Sequence, residues 1–153
     1  MFKTHLMFSF LLALILYKYF DLSPYLFIVI LVLAGTLPDI DHSKSFIGRR
    51  FFIISWIANL FFGHRKLIHS LFFAIFLAFL VKLFFNIYYI PFFLGYLSHL
   101  FLDSLTKQGI RLFYPFKFKI SGFIKTNSLL EKLFLLALFT LIIIKLSKII
   151  YIF

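Results

Sequence analysis

The chain has 153 residues, 63% of them hydrophobic, with a formal net charge of +11 and a mean hydropathy of +1.07. Its uninterrupted apolar runs are longer than a soluble domain of this length can bury, which excludes a soluble globular fold and predicts one integral-membrane domain over 1–153. Cysteine is absent, so disulfides, thiolate nucleophiles and thiolate ligands are excluded, and any metal must be held by nitrogen and oxygen.

The first apolar segment, about 6–20, resembles a signal peptide. No small-residue cleavage site follows it, so it reads as an uncleaved first membrane helix. DLSP (21–24) breaks the chain before a second span at about 24–37. Pro38 ends that span, because it lacks an N–H and restricts the residue before it. LPDIDH (37–42) then sets two aspartates and a histidine within four residues.

The third segment, FFIISWIANLFF (51–62), is short of the ~20 residues a crossing helix needs and reads as interfacial or re-entrant. Three longer segments follow at about 67–85, 89–105 and 129–152. The expected fold is therefore all-α, a polytopic membrane bundle of about five spans plus one short interfacial or re-entrant helix.

Because the third segment does not cross, His5, LPDIDH, HRKLIH (64–69) and the end of the fifth span should face one side. Lys3, Lys44, Arg49, Arg50, Arg65, Lys66, Lys107, Arg111, Lys117, Lys119, Lys125 and Lys132 would share that side, with Lys18, Lys82, Lys145 and Lys148 opposite. The positive-inside rule then places the clustered face in the cytoplasm of a cell (inner or plasma) membrane. The basic residues fit anionic lipid headgroups better than nucleic acid, since they are scattered around apolar segments instead of forming one soluble face. The abundance of Phe and Lys is what an AT-rich genome produces and points to no cofactor.

The chemistry-bearing residues gather in the same places. All five histidines (His5, His42, His64, His69, His99) and three of the five acids (Asp39, Asp41, Asp103) lie at segment ends. Ionisable groups in a bilayer are costly unless paired or functional. His99 and Asp103, four apart on a helix, differ by about 40° and share a face. That suits a two-ligand platform or a carboxylate-oriented histidine, with a plain intrahelical hydrogen bond as the competing reading. His64 and His69 are five apart, roughly 140° around a helix, so His64 belongs in the preceding turn and His69 one turn inside the fourth span. Asp39 and Asp41 in extended backbone would point to opposite sides, so either could bind metal while the other orients a histidine; a capped, solvated loop competes. Each of the four arginines, Arg49, Arg50, Arg65 and Arg111, lies on or beside a motif loop, as bidentate phosphate recognition requires, although topological charge explains them equally well. Glu131 completes Ser128-Leu-Leu-Glu131, a capping box opening the last helix.

Taken together, His5, LPDIDHSKSFIGRR (37–50), GHRKLIHS (63–70) and GYLSHLFLDSLTKQGIRLFYPFKFK (95–119) resemble the YdjM family of predicted membrane-bound metal-dependent hydrolases. The His-x-x-x-Asp element is more loosely similar to that of zinc-dependent phospholipase C. The resemblance implies His5, Asp39, Asp41, His64, His69, His99 and Asp103 as metal ligands, with His42 as an outer partner. Lys66 and Ile68 replace a small residue and a threonine found between the paired histidines of relatives.

The expected function is metal-dependent hydrolysis of a phosphoester in a lipid or another membrane-proximal substrate. Zinc is the expected ion, in one copy or more, with manganese and magnesium as alternatives; metal-activated water is the nucleophile and Arg49, Arg50, Arg65 and Arg111 grip phosphate. No catalytic side chain is assigned. A metal-ion or proton-coupled transporter using the same cluster is the alternative, and a silent scaffold with structural metal is a third. Transport asks for ionisable groups near mid-membrane, and here they gather at one end.

Overall fold

A computed structural model describes residues 1–41, 50 and 66–150. Among these residues the protein is all-helical: α1 (Phe2–Leu16), α2 (Pro24–Thr36), α3 (Leu71–Phe85), α4 (Tyr89–Ser104) and α5 (Leu129–Ile150). Among the described residues, extended pairing is limited to two isolated β-bridges, Thr106 with Ile124 and Ile110 with Ile120.

Local chemistry sets the boundaries. Pro24 opens α2 at its first turn, where a missing N–H costs nothing. Beyond α2, Leu37–Asp41 tightens into a 3₁₀ turn. This corrects the extended backbone expected for Asp39 and Asp41: Pro38 supplies a φ that a 3₁₀ turn accepts, at a position where its missing donor is harmless.

A second correction concerns His69. Ser70 caps α3, its Oγ accepting from Phe73 N at 3.2 Å, so the helix begins at Leu71 and His69 lies in the turn before it. The first helix also starts earlier than expected, at Phe2, which brings His5 into its opening turn.

Leu71–Ser104 is a single apolar stretch of 34 residues, but it doubles back. Asn86 adopts φ +47°, which ends α3, and α4 returns along it. By length and composition two stretches can cross a membrane, Leu71–Ser104 and Leu129–Ile150, while Pro24–Ile40 is shorter. The count of five spans is therefore not established: α1 to α4 have 13 to 16 residues each, below the ~20 of a full crossing. The expected interfacial helix at 51–62 lies outside the described residues.

The helices pack as two hairpins, α1–α2 and α3–α4, joined where α2 lies along α4, with α5 against α1. Leu11 and Leu14 of α1 meet Leu138 and Ile142 of α5, Ala13 meets Phe27 and Leu31 of α2, and Ala74 of α3 meets Tyr96 and Leu100 of α4. The α2–α4 contact is close because it is built on glycine. A Cβ on Gly95 would collide with the Leu31 carbonyl and one on Gly35 with Ser9 Oγ. Large apolar side chains, including Phe72, Phe76 and Phe79 on α3 and Leu133, Leu136 and Ile143 on α5, point outward, as they must if hydrocarbon surrounds the bundle.

This arrangement decides where the polar groups meet. The starts of α1, α3 and α5 and the ends of α2 and α4 lie together, as contacts between Thr4 and Glu131, His5 and Asp103, and Gly35 and His99 show. The segment 105–128 is tied to that end through Thr106, whose Oγ1 donates to the Asp103 carbonyl (2.8 Å) and whose own carbonyl accepts from Gly122 N (3.0 Å).

Candidate metal centre

Four side chains converge at this end: His5, His69, His99 and Asp103, each at most 1% exposed. Asp103 is the hub. Its Oδ1 lies 3.4 Å from His5 Nε2, and its Oδ2 lies 3.3 Å from His69 Nε2 and 3.7 Å from His99 Nε2. The last distance is too long for a hydrogen bond, so the intrahelical His99–Asp103 bond weighed from sequence is not made.

Each histidine is set by its own element. His5 sits in the first turn of α1, whose rotation is held by Thr4 Oγ1 donating to Glu131 Oε1 of α5 at 2.8 Å. His69 rides on the turn before α3. There Ser70 Oγ donates to the Leu67 carbonyl (2.7 Å) and Tyr96 OH donates to the Ile68 carbonyl (2.6 Å), binding the turn to α4. His99 is fixed by the end of α2, its Nδ1 lying 2.9 Å from the Gly35 carbonyl oxygen.

That contact determines the tautomer of His99. A carbonyl oxygen can only accept, so Nδ1 carries the proton and Nε2 presents a lone pair. Nε2 is buried and has no hydrogen-bond partner among the described residues. It faces Asp103 Oδ2, also an acceptor. A cation between these two buried acceptors would offset the cost of placing them side by side.

The spacing agrees with such a cation. Ligands about 2.0–2.1 Å from a tetrahedral zinc ion are about 3.3–3.4 Å apart, against the 3.3, 3.4 and 3.7 Å found here. The donor atoms of His5, His99 and Asp103 all lie within 4.8 Å of one another. Imidazole nitrogen with carboxylate oxygen suits a borderline ion such as zinc. These residues therefore fit a divalent metal.

Of the other residues singled out from sequence, Asp39 is half-buried and within electrostatic range of His5, His69 and Asp103. Asp41 ends the same 3₁₀ turn, and its side chain lies outside the described residues, as do His42, Arg49, His64 and Arg65. Arg50 is exposed. Arg111 is half-buried, next to Leu112, whose carbonyl accepts from Leu71 N at 2.7 Å, so its backbone lies near the turn that carries His69.

Several supporting residues escaped the sequence reading. Gly35 and Gly95 were legible in principle, since glycine inside an apolar helix weakens it and signals a close approach. Tyr96, three residues before His99 on the same helix, gave no signal of its own. Ser98 Oγ donates to the Gly95 carbonyl (2.6 Å), leaving Ser9 Oγ to donate to Ser98 Oγ (3.0 Å), a buried polar pair one helical turn from His5.

The family model described as YdjM inner membrane protein matches residues 1–152. The uncharacterized protein YvsG of Bacillus subtilis (strain 168) is 33% identical over 145 residues, covering 89% of this chain and 88% of that protein. Inner membrane protein YdjM of Escherichia coli (strain K12) and its counterpart in Shigella flexneri are each 37% identical over 122 residues, covering 71% of this chain and 60% of theirs. No solved structure matches the chain.

Proposed function

The chain belongs to the YdjM family of inner membrane proteins, and we propose that it is a metal-dependent hydrolase acting on a phosphoester of a lipid or another membrane-proximal substrate. The observation that carries this reading is the His99 lone pair, fixed by Gly35 and turned toward the Asp103 carboxylate in a site closed to bulk water. Buried acceptors facing one another are the preorganised half of a metal centre.

His5, His69, His99 and Asp103 would hold the ion, and Asp39 would orient a histidine or complete the ligand set. A divalent cation there supplies Lewis acidity, ionising water near neutral pH and polarising a phosphoryl oxygen. The chain's own part is to aim the ligands, exclude bulk water and grip the substrate. Arg111 lies on the backbone beside the His69 turn, and Arg49, Arg50 and Arg65 adjoin the LPDIDH and HRKLIH motifs in sequence; their guanidinium groups would bind phosphate.

The transporter reading is less favoured. Beyond Ser9 and Ser98, the described interior on the side away from the site is apolar, lined by Leu11, Ala13, Leu14, Phe27 and Leu31. An ion entering from the site end would meet no polar relay there among the described residues. The lysines and Arg111 near the site, against Lys18, Lys82, Lys145 and Lys148 at the far ends, support a cytoplasmic orientation.

Metal analysis of purified wild-type protein beside His99→Ala and Asp103→Ala tests the proposal. Bound metal in the wild type, lost from both variants, is expected, together with phosphate release from membrane lipid extracts by the wild type alone. Wild-type protein that binds no metal would overturn the reading. Bound metal without phosphoesterase activity would transfer it to transport or structure.

A further inference from the structure

The rings of His5 and His99 are stacked, with centroids 3.9 Å apart and planes inclined by only 11°. An imidazole lone pair lies in the ring plane. Two nearly parallel rings therefore aim at two points separated by roughly the stacking distance, whereas ligands that share one ion fan out around it. His69 does fan out: its ring is inclined 63° to His99 at 5.2 Å.

The Asp103 carboxylate divides in the same way. His5 Nε2 faces Oδ1, while His69 Nε2 and His99 Nε2 both face Oδ2. The hub thus offers one oxygen to each side. We infer that the site takes two divalent cations bridged by Asp103, one held by His5 with Oδ1 and the other by His69 and His99 with Oδ2.

This inference rests on the metal reading above and deepens it. The 3.9 Å ring spacing coincides with the about 3.5–4 Å between ions in two-metal phosphoesterase and nuclease centres. Charge points the same way. Asp39 and Asp103 are the carboxylates near the histidines among the described side chains, so two dications would retain net positive charge, which attracts an anionic phosphoester.

The test uses the full chain in detergent, stripped by chelator and titrated with Mn²⁺ alone, with ions counted by elemental analysis and the spins read by electron paramagnetic resonance. Two ions per chain with an exchange-coupled spectrum are expected. His5→Gln should retain one ion and give an uncoupled spectrum, and Asp103→Asn should abolish the coupling. One ion in wild-type protein would overturn the two-ion centre and leave the single-metal reading standing. No ion would overturn both, and two uncoupled ions would overturn the bridge. Far-UV circular dichroism checks that the variants fold, and the wild-type count decides the matter even if they do not.

Discussion

Gly35 accepts a hydrogen bond from His99 Nδ1 at 2.9 Å, across a helix contact in which a Cβ on Gly35 or Gly95 would collide with a neighbour. One glycine thus performs two tasks. Its missing side chain lets α2, α1 and α4 approach, and its carbonyl, left over near the end of α2, selects the tautomer of a buried histidine.

Replacing Gly35 with alanine should therefore damage stability and site together. The new Cβ meets Ser9 Oγ and also Ser9 Cβ at 2.8 Å, which turning the hydroxyl does not relieve, an overpacking cost of about 1–3 kcal/mol. Thermal unfolding in detergent should show the loss, and metal affinity should fall as His99 is displaced. A Gly35→Ala protein with wild-type melting and wild-type metal affinity would refute the close-approach account.

Tyr96 acts at one remove from the metal ligands. Its hydroxyl holds the Ile68 carbonyl at 2.6 Å and so places the adjacent His69 against Asp103. Tyr96→Phe keeps the ring packing and leaves a buried carbonyl short of a donor, costing about 1–3 kcal/mol. Supports of this kind are worth about 10–100-fold in metal affinity. In a His69→Ala background the same substitution should no longer change affinity. An equal loss in both backgrounds would mean that Tyr96 serves the fold generally and not His69.

Glu131 provides the contrast. It accepts from Thr4 Oγ1 at 2.8 Å and from Asn127 N at 2.7 Å, while Glu131 N donates to Ser128 Oγ at 3.4 Å. Half of the capping box read from sequence is made, the Ser128 cap on Glu131 N; the carboxylate takes Asn127 N instead of Ser128 N, which donates to the Lys125 carbonyl, and adds a bond to α1. Glu131→Gln turns one acceptor into a donor facing a donor, and should lower stability by about 1–3 kcal/mol while metal stoichiometry stays at the wild-type value. Loss of metal from a folded Glu131→Gln protein would place Glu131 in the site after all.

Topology can be read by labelling. In the cysteine-free chain, cysteines placed singly at Ser43, Lys107 and Asp21 should react from two faces, the first two from the cytoplasm and the third from outside. Labelling of positions 43 and 107 from opposite faces would mean that the segment 51–62 crosses the membrane, and would separate LPDIDH from SHLFLD.

Much of the site was legible because its chemistry is rare in this composition. In a chain of mostly Phe, Leu, Ile and Lys, a histidine or aspartate at a helix end stands out, and i, i+4 spacing alone places His99 and Asp103 on one face. The position of His69 was misjudged by about one turn. Apolar periodicity does not reveal where a helix starts, whereas the Ser70 cap does. The 3₁₀ turn at Leu37–Asp41 was missed for a similar reason, since Pro38 ends one helix type and is welcome in another.

The amino-acid sequence by itself determined the class of protein, the helical content, the exclusion of sulfur ligands and the short roster of residues able to hold a metal. Those follow from composition and local spacing, which act within a turn or two of chain. Tertiary structure decided which members of the roster meet. His5, His69, His99 and Asp103 come from three separate parts of the chain, and glycine-to-backbone contacts between helices, which leave no mark on periodicity, bring them within 4 Å of a shared carboxylate. The tautomer of His99 and the stacking of His5 upon it are likewise products of helix packing, because they depend on a carbonyl and a ring contributed from elsewhere in the sequence.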